Sequence, residues 1–282
     1  MAMYAAKKAG KNCWRFFEES MHKETYESMM LTNSLRHAIE EKELLLHYQP
    51  QLNTNDLTIV GFEALLRWNS LEYGSVAPGR FIPLAEKSGI ILAIGTWVLQ
   101  QACLFARRLL DSGWSNLYVA VNVSPHQLRD RQFIKIVLEA LQSAGIKPHQ
   151  LELEITENAL IDSMEETVYI LEQLKNVGVR FSLDDFGTGY SSLTYLQRLP
   201  VNILKIDKSF IDMIRSDTEP KAIIRSIVDM AHVMNMTVVA EGVETQSQLD
   251  YLTQCHCDLL QGFIVSKPVS EADAMRFLIE RT

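Results

Sequence analysis

A chain of 282 residues is long enough for one large domain or two small ones, and 47% hydrophobic with 22% charged residues is an ordinary globular composition. The net charge of −8 excludes a protein that coats nucleic acid polymers or anionic membranes by bulk attraction, though not one that holds a small anion with local bases and a metal. Cys13, Cys103, Cys255 and Cys257 lack the density of a disulfide framework and point to a reducing, cytoplasmic setting, while no apolar run reaches the ~20 residues of a membrane span and no secretory signal opens the chain.

The opening "MAMYAAKKAGKNCWRFF" is cationic and helical, then β-like, and residues 1–20 read as the tail of an earlier module. From Glu18 to about Glu43 the pattern is helical and charged, with Met29, Met30, Leu35 and Ile39 at helical spacing. Residues 21–43 are therefore expected to form a linker helix region ahead of a main domain at 44–282. Strand candidates follow at 44–50, 57–68, 117–123, 151–155, 179–183, 202–206, 237–241 and 259–263. Helical stretches separate most of them, such as 162–178 with an Asp start and a Gly stop. This alternation predicts a parallel sheet with helical crossovers, and eight strands fit a TIM-like (β/α)8 barrel. Only the short polar turn "LNTNDL" separates the first two strands. They are expected to form an antiparallel hairpin, giving the barrel an irregular, partly antiparallel start.

The strand "VRFSL" runs straight into two adjacent carboxylates, Asp184 and Asp185, followed by Gly187 and Gly189. Two aspartates can simply solvate a strand end and start a turn. They can also hold a cation, which would offset their mutual repulsion. Polar residues recur at the other strand ends: Glu63, Asn122, Glu154, Glu157, Lys205, Glu241 and Gln261. From Asn122 through Glu154, Asp184, Lys205, Glu241 and Gln261 the steps are 32, 30, 21, 36 and 20 residues, close to one βα unit each. In a barrel the carboxyl ends of the strands converge on one rim. Each residue has an ordinary use as well: Glu63 as an ion-pair partner of Arg67, Glu157 as a first-turn helix acid, Lys205 snorkelling to the rim, Gln261 in a turn. Taken together they predict an oxygen-rich cup suited to Mg²⁺ or Mn²⁺, with two ions sharing one aspartate as in-line attack on a phosphodiester requires.

Seven segments in order, "EALLRW" (63–68), "VNVSPHQL" (121–128), "LELEITEN" (151–158), "DDFGTGYSSL" (184–193), "LKIDKSFI" (204–211), "AEGVET" (240–245) and "QGF" (261–263), resemble the EAL domain over roughly residues 30–275. The resemblance implies a TIM-like barrel, two divalent ions, and hydrolysis of cyclic di-GMP to linear 5′-pGpG. It implies that Glu63, Asn122, Glu154 and Asp184 ligate the first metal, and that Asp184 bridges to a second held by Asp185 and sometimes Glu241. Lys205 is similar to the residue that positions or activates the attacking water, Glu157 to the glutamate that steadies the "DFGTG" loop, and Arg67 to a phosphate-binding arginine. Gln49 and Gln261 resemble positions that contact substrate or that support the residues which do. Calcium is expected to inhibit, being too large for an octahedral magnesium site. Where the family usually has a His-Pro pair, this chain has Ser70-Leu71.

The N-terminal segment resembles the last helix and strand of a GGDEF domain, which implies a larger, two-module cytoplasmic protein whose other parts can be membrane-anchored. A homodimer through the face beside the "DFGTGYSSL" loop is also implied. A silent cyclic di-GMP receptor is the competing reading; such members lose ligands or the loop sequence, and both are intact here. An enolase-type lyase is a third, disfavoured by the motif order.

Overall fold

The computed structural model describes residues 19–160, 164–187, 196–215 and 220–281. The segment read as the tail of an earlier module and most of the "DFGTGYSSL" loop lie outside them. Two compact units make up the chain, Met1–Leu45 with Arg67–Ile91, and Leu46–Leu66 with Leu92–Thr282.

In the smaller unit, helix α1 (Glu19–Leu35) ends earlier than its sequence pattern predicts. The chain turns instead: Lys42 takes a left-handed φ of 59°, and the Glu43 N–H donates to the Ala38 carbonyl at 2.9 Å. This reversal feeds strand β1 (Leu44–Asn53). The end of strand β2 (Ile59–Ser70) pairs antiparallel with a short strand, β3 (Gly74–Val76), which is too brief to carry a sequence pattern. Helix α2 (Pro78–Ser88) follows, with proline at its first turn where no N–H is needed. The Glu43 carboxylate is buried and accepts from the Trp68 indole N–H at 2.8 Å and the Leu71 backbone N–H at 2.7 Å. Trp68 lies edge-on to Phe81, centroids 5.6 Å apart. The Ser70-Leu71 pair thereby acquires a physical use, because a proline at 71 would bring no N–H to Glu43.

The larger unit is a closed ring. Strands β4 (Tyr118–Val123), β5 (Leu151–Thr156), β6 (Arg180–Phe186), β7 (Ile203–Ile206), β8 (Thr237–Ala240) and β9 (Leu259–Leu260) run in the order β1-β9-β8-β7-β6-β5-β4-β2, and β1–β2 pairing closes it. Neighbours are parallel except at β1, which is antiparallel to β9. The expected hairpin is present: the Asn53 N–H donates to the Thr58 carbonyl at 2.9 Å across a turn with Leu57 at φ 56°. Period-two alternation puts Phe181 and Leu183 on the helix-facing side of β6, where both are buried with Leu171 and Leu174 of helix α3 (Met164–Val177). The same alternation turns Ser182 and Asp184 to the interior. Inside the ring, Ile203, Val239 and Leu259 form a small apolar layer with Val60.

Glu43→Ala is expected to destabilise the chain by about 2–4 kcal/mol in urea unfolding, since it strands an indole and a backbone N–H in a buried place. Glu43→Gln, which keeps an acceptor, should cost clearly less.

Candidate active site

The interior-facing residues at the carboxyl ends of the strands meet around one ammonium group. Lys205, on β7, is 1% exposed, and its Nζ lies 2.5 Å from Glu241 Oε1, 2.8 Å from Glu154 Oε2, 3.6 Å from Asp184 Oδ1 and 3.8 Å from Glu63 Oε2. Snorkelling to the rim is thus overturned: the side chain is enclosed because it answers four carboxylates. Parallel register explains the convergence. Glu63 stands beside Ala120, Asn122 beside Glu154, and Asp184 beside Thr156, so each strand contributes a residue near the same height.

Asp184 and Asp185 resolve the alternation problem through a bulge. The β6–β7 register shifts between Leu183 and Phe186, and Asp185 sits at φ 56° in the left-handed region. An aspartate tolerates that conformation better than most residues. The Asp185 N–H donates to Asp184 Oδ1 at 2.9 Å, which fixes the first carboxylate. Burial and the Asp184 charge raise the Asp185 pKa.

Charge and burial set the protonation of the cup. Glu154 Oε2 and Glu241 Oε1 approach Lys205 Nζ to 2.8 and 2.5 Å, within reach of charge-assisted contact. Burial, with Glu63 beside it, pushes the Glu154 carboxyl well above its usual range. Burial takes Glu241 up to about 8 against the opposing pull of Lys205. Glu63 goes the other way: burial raises it, but Lys205 with the Gln261 and Asn122 donors outweighs that and holds it below the carboxylate range. Burial disfavours a charged Lys205, yet Asp184, Glu154, Glu241 and Glu63 together keep the ammonium protonated far beyond its usual value.

One side of the cup is built from amides. Asn122 Nδ2 donates to Glu63 Oε1 at 2.7 Å. Gln261 Nε2 donates to Glu63 Oε2 at 2.5 Å and to Gln49 Oε1 at 3.0 Å, and Gln49 Nε2 reaches the Ser266 carbonyl at 3.1 Å. Gln261 is therefore no ordinary turn residue. Its loop is locked to the Glu241 loop, because the Val243 N–H donates to the Gln261 carbonyl and Gly262 packs against Val243 backbone where a Cβ would come within 2.1 Å of the carbonyl oxygen.

Glu157 opens a 3₁₀ turn directly after β5 and is buried, with its carboxylate lacking a hydrogen bond among the described residues. Of the "DFGTG" loop it was expected to steady, residues 188 and 189 are outside those residues. Arg67 belongs to the smaller unit. Among the described residues no three Asp, Glu, His or Cys side chains are arranged to hold a metal ion; Lys205 takes the point on which the carboxylates converge. Sequence reasoning missed Gln51 and Tyr118, both buried and hydrogen-bonded into this amide side. A signal for Gln51 existed, since it shares a strand face with Gln49 two positions earlier.

Comparison with known proteins matches the EAL domain model to residues 32–268. The bifunctional diguanylate cyclase/cyclic di-GMP phosphodiesterase MucR of Pseudomonas aeruginosa is 44% identical over 268 residues, covering 95% of this chain and 39% of MucR. Cyclic di-GMP phosphodiesterase NbdA of the same organism is 41% identical over 278 residues, 99% of this chain and 36% of NbdA. The chain thus spans less than half the length of these relatives. A solved structure of the PaMucR phosphodiesterase in complex with c-di-GMP has a TM-score of 0.84 at 43% identity, covering 87% of this chain and 99% of that one.

Lys205→Met should destabilise the chain by about 3–5 kcal/mol in urea unfolding, because it leaves buried carboxylates uncompensated. Adding Glu154→Gln to that variant is expected to recover part of the loss.

Proposed function

The chain belongs to the EAL domain family, and we propose that it is a metal-dependent phosphodiesterase that hydrolyses cyclic di-GMP to linear 5′-pGpG. The observation that carries this reading is the cup itself: Glu63, Glu154, Asp184 and Glu241 within 3.8 Å of one buried ammonium. Four carboxylates against one ammonium leave a formal excess of negative charge, and such a set persists when it has a cation to bind. The relatives' named activities and the nucleotide in the PaMucR complex support the same substrate.

The donor set fits a hard divalent ion, Mg²⁺ or Mn²⁺, by its chemistry and by its convergence. Its ligands are all oxygens, and four of its carboxylates already converge on one cation, the Lys205 ammonium. Glu63, Asn122, Glu154 and Asp184 would hold a first ion, and Asp184 with Asp185 and Glu241 a second. Asn122 already spends its amide N–H on Glu63, which leaves its carbonyl oxygen as the ligating atom. Such ions, when bound, lower the pKa of water and offset charge on phosphoryl oxygens.

The chain's own residues do the rest. Lys205, whose Nζ lies among the carboxylates, positions or activates the attacking water. The water oxygen bonds to phosphorus, the P–O3′ bond breaks, and the 3′ oxygen leaves with a proton while the phosphate stays on the 5′ side. Arg67 offsets the charge that develops on the phosphate. Gln49 and Gln261 support Glu63 on the substrate side of the site, and Glu157 steadies the loop after Asp185.

The reading extends to the assembly. The chain acts as a homodimer within a longer, cytoplasmic protein that carries a GGDEF module ahead of it. No helix among the described residues is long and apolar enough to cross a membrane. The purified chain is expected to be dimeric in sedimentation equilibrium.

The deciding experiment incubates the purified chain with cyclic di-GMP and Mg²⁺ or Mn²⁺ and follows linear product by chromatography. Turnover is expected, with Ca²⁺ inhibiting and Glu63→Ala lowering the rate by about 100-fold or more. Tight binding of the dinucleotide without linear product under either ion would overturn hydrolysis in favour of a silent receptor.

A further inference from the structure

Beneath the amide side of the cup a line of buried hydrogen bonds runs down the interior of the larger unit. The Tyr118 hydroxyl donates to Gln51 Oε1 at 2.6 Å, Gln51 Nε2 donates to Gln261 Oε1 at 2.8 Å, and Gln261 Nε2 donates to Glu63 Oε2 at 2.5 Å. Tyr118 and Gln261 are 2% and 4% exposed, and Gln51 is fully enclosed. Water is therefore not at hand to replace a broken link.

The direction of the line follows from chemistry. An ionised carboxylate only accepts, so Gln261 must turn its NH₂ toward Glu63. Its carbonyl then faces Gln51, which must donate. The Gln51 carbonyl in turn faces Tyr118, whose hydroxyl is the terminal donor. A reversed Gln261 would set a carbonyl oxygen against a carboxylate oxygen in a buried place. The far end is anchored too. The Arg180 guanidinium lies 3.9 Å from the Tyr118 ring centroid and pairs with the buried Glu152 at 3.2 Å. Gly61 makes room for the ring, since a Cβ there would lie 2.7 Å from it.

We propose that Tyr118 and Gln51 are positioning residues of the site: they hold the Gln261 amide in the one orientation that donates to Glu63 and accepts nothing from it. Tyr118 is two hydrogen bonds away from Gln261 and three from Glu63, so it acts only through the line. The inference rests on the hydrolase reading for its consequence in catalysis, but not for the hydrogen bonds themselves.

The test uses the ¹⁵N-labelled full chain and reads the side-chain amide protons of Gln261, assigned by their loss in Gln261→Glu. In the unsubstituted chain they should exchange slowly and lie downfield. Tyr118→Phe keeps the ring and its stacking on Arg180, and should speed their exchange at least tenfold. Gln51→Leu should do the same, and the double variant should be no worse than Gln51→Leu alone, as one line requires. With cyclic di-GMP, Tyr118→Phe should lower kcat about tenfold and leave KM within twofold. A Gln261 amide indifferent to Tyr118→Phe, or effects of the two substitutions that multiply, would overturn the proposal. An amide that responds in a chain whose unsubstituted form never turns over would support the line and refute hydrolysis.

Discussion

One buried ammonium holds the site together. Two like charges ~5 Å apart repel by about 3 kcal/mol at an effective dielectric of about 20. Four carboxylates crowded at the mouth of a barrel cannot persist on packing alone. Lys205 lies within 3.8 Å of all four and is fully enclosed by them. The balance is incomplete, and the strain shows on individual groups: Glu154 and Glu241 are driven toward protonation by burial and by their neighbours, while Glu63, better supplied with donors, stays ionised.

The barrel exists in order to make such crowding geometrically possible. Each parallel strand brings one interior residue to the same rim, and the register pairs Asn122 with Glu154 and Asp184 with Thr156. The irregularities fall where the site needs them. The bulge at Asp185 lets two adjacent carboxylates escape strict alternation. The close approach of Gly262 to Val243 ties the loops that carry Gln261 and Glu241. The antiparallel β1 brings Gln49 and Gln51 into the ring beside β9, supplying amides where a regular first strand would bring one residue per unit.

Much of this was legible in the sequence. All eight ring strands lie at or near their expected positions, because parallel strands between amphipathic helices carry strong patterns and sharp stops such as Gly178. Of the polar strand ends, Glu63, Asn122, Glu154, Asp184, Lys205, Glu241 and Gln261 meet in the ring. The rest depended on information that residue patterns do not hold. Strand β3 has only three residues, and α1 gives way after Leu35 to turns that end at a left-handed Lys42, which no periodicity announces. Gln51 and Tyr118 look like ordinary strand residues, and only the closed ring shows that they reach Gln261. Lys205 is an amphipathic side chain that could equally have reached solvent, and its burial is decided by partners on four other strands.

The most direct test is crystallographic: the chain grown with Mn²⁺ and examined by anomalous scattering at the manganese edge. The account predicts anomalous peaks inside the ring of Glu63, Glu154 and Asp184, with the Lys205 ammonium moved away from Glu154 to make way for them. Manganese bound only elsewhere, with Lys205 still paired to Glu154 and Glu241, would contradict it.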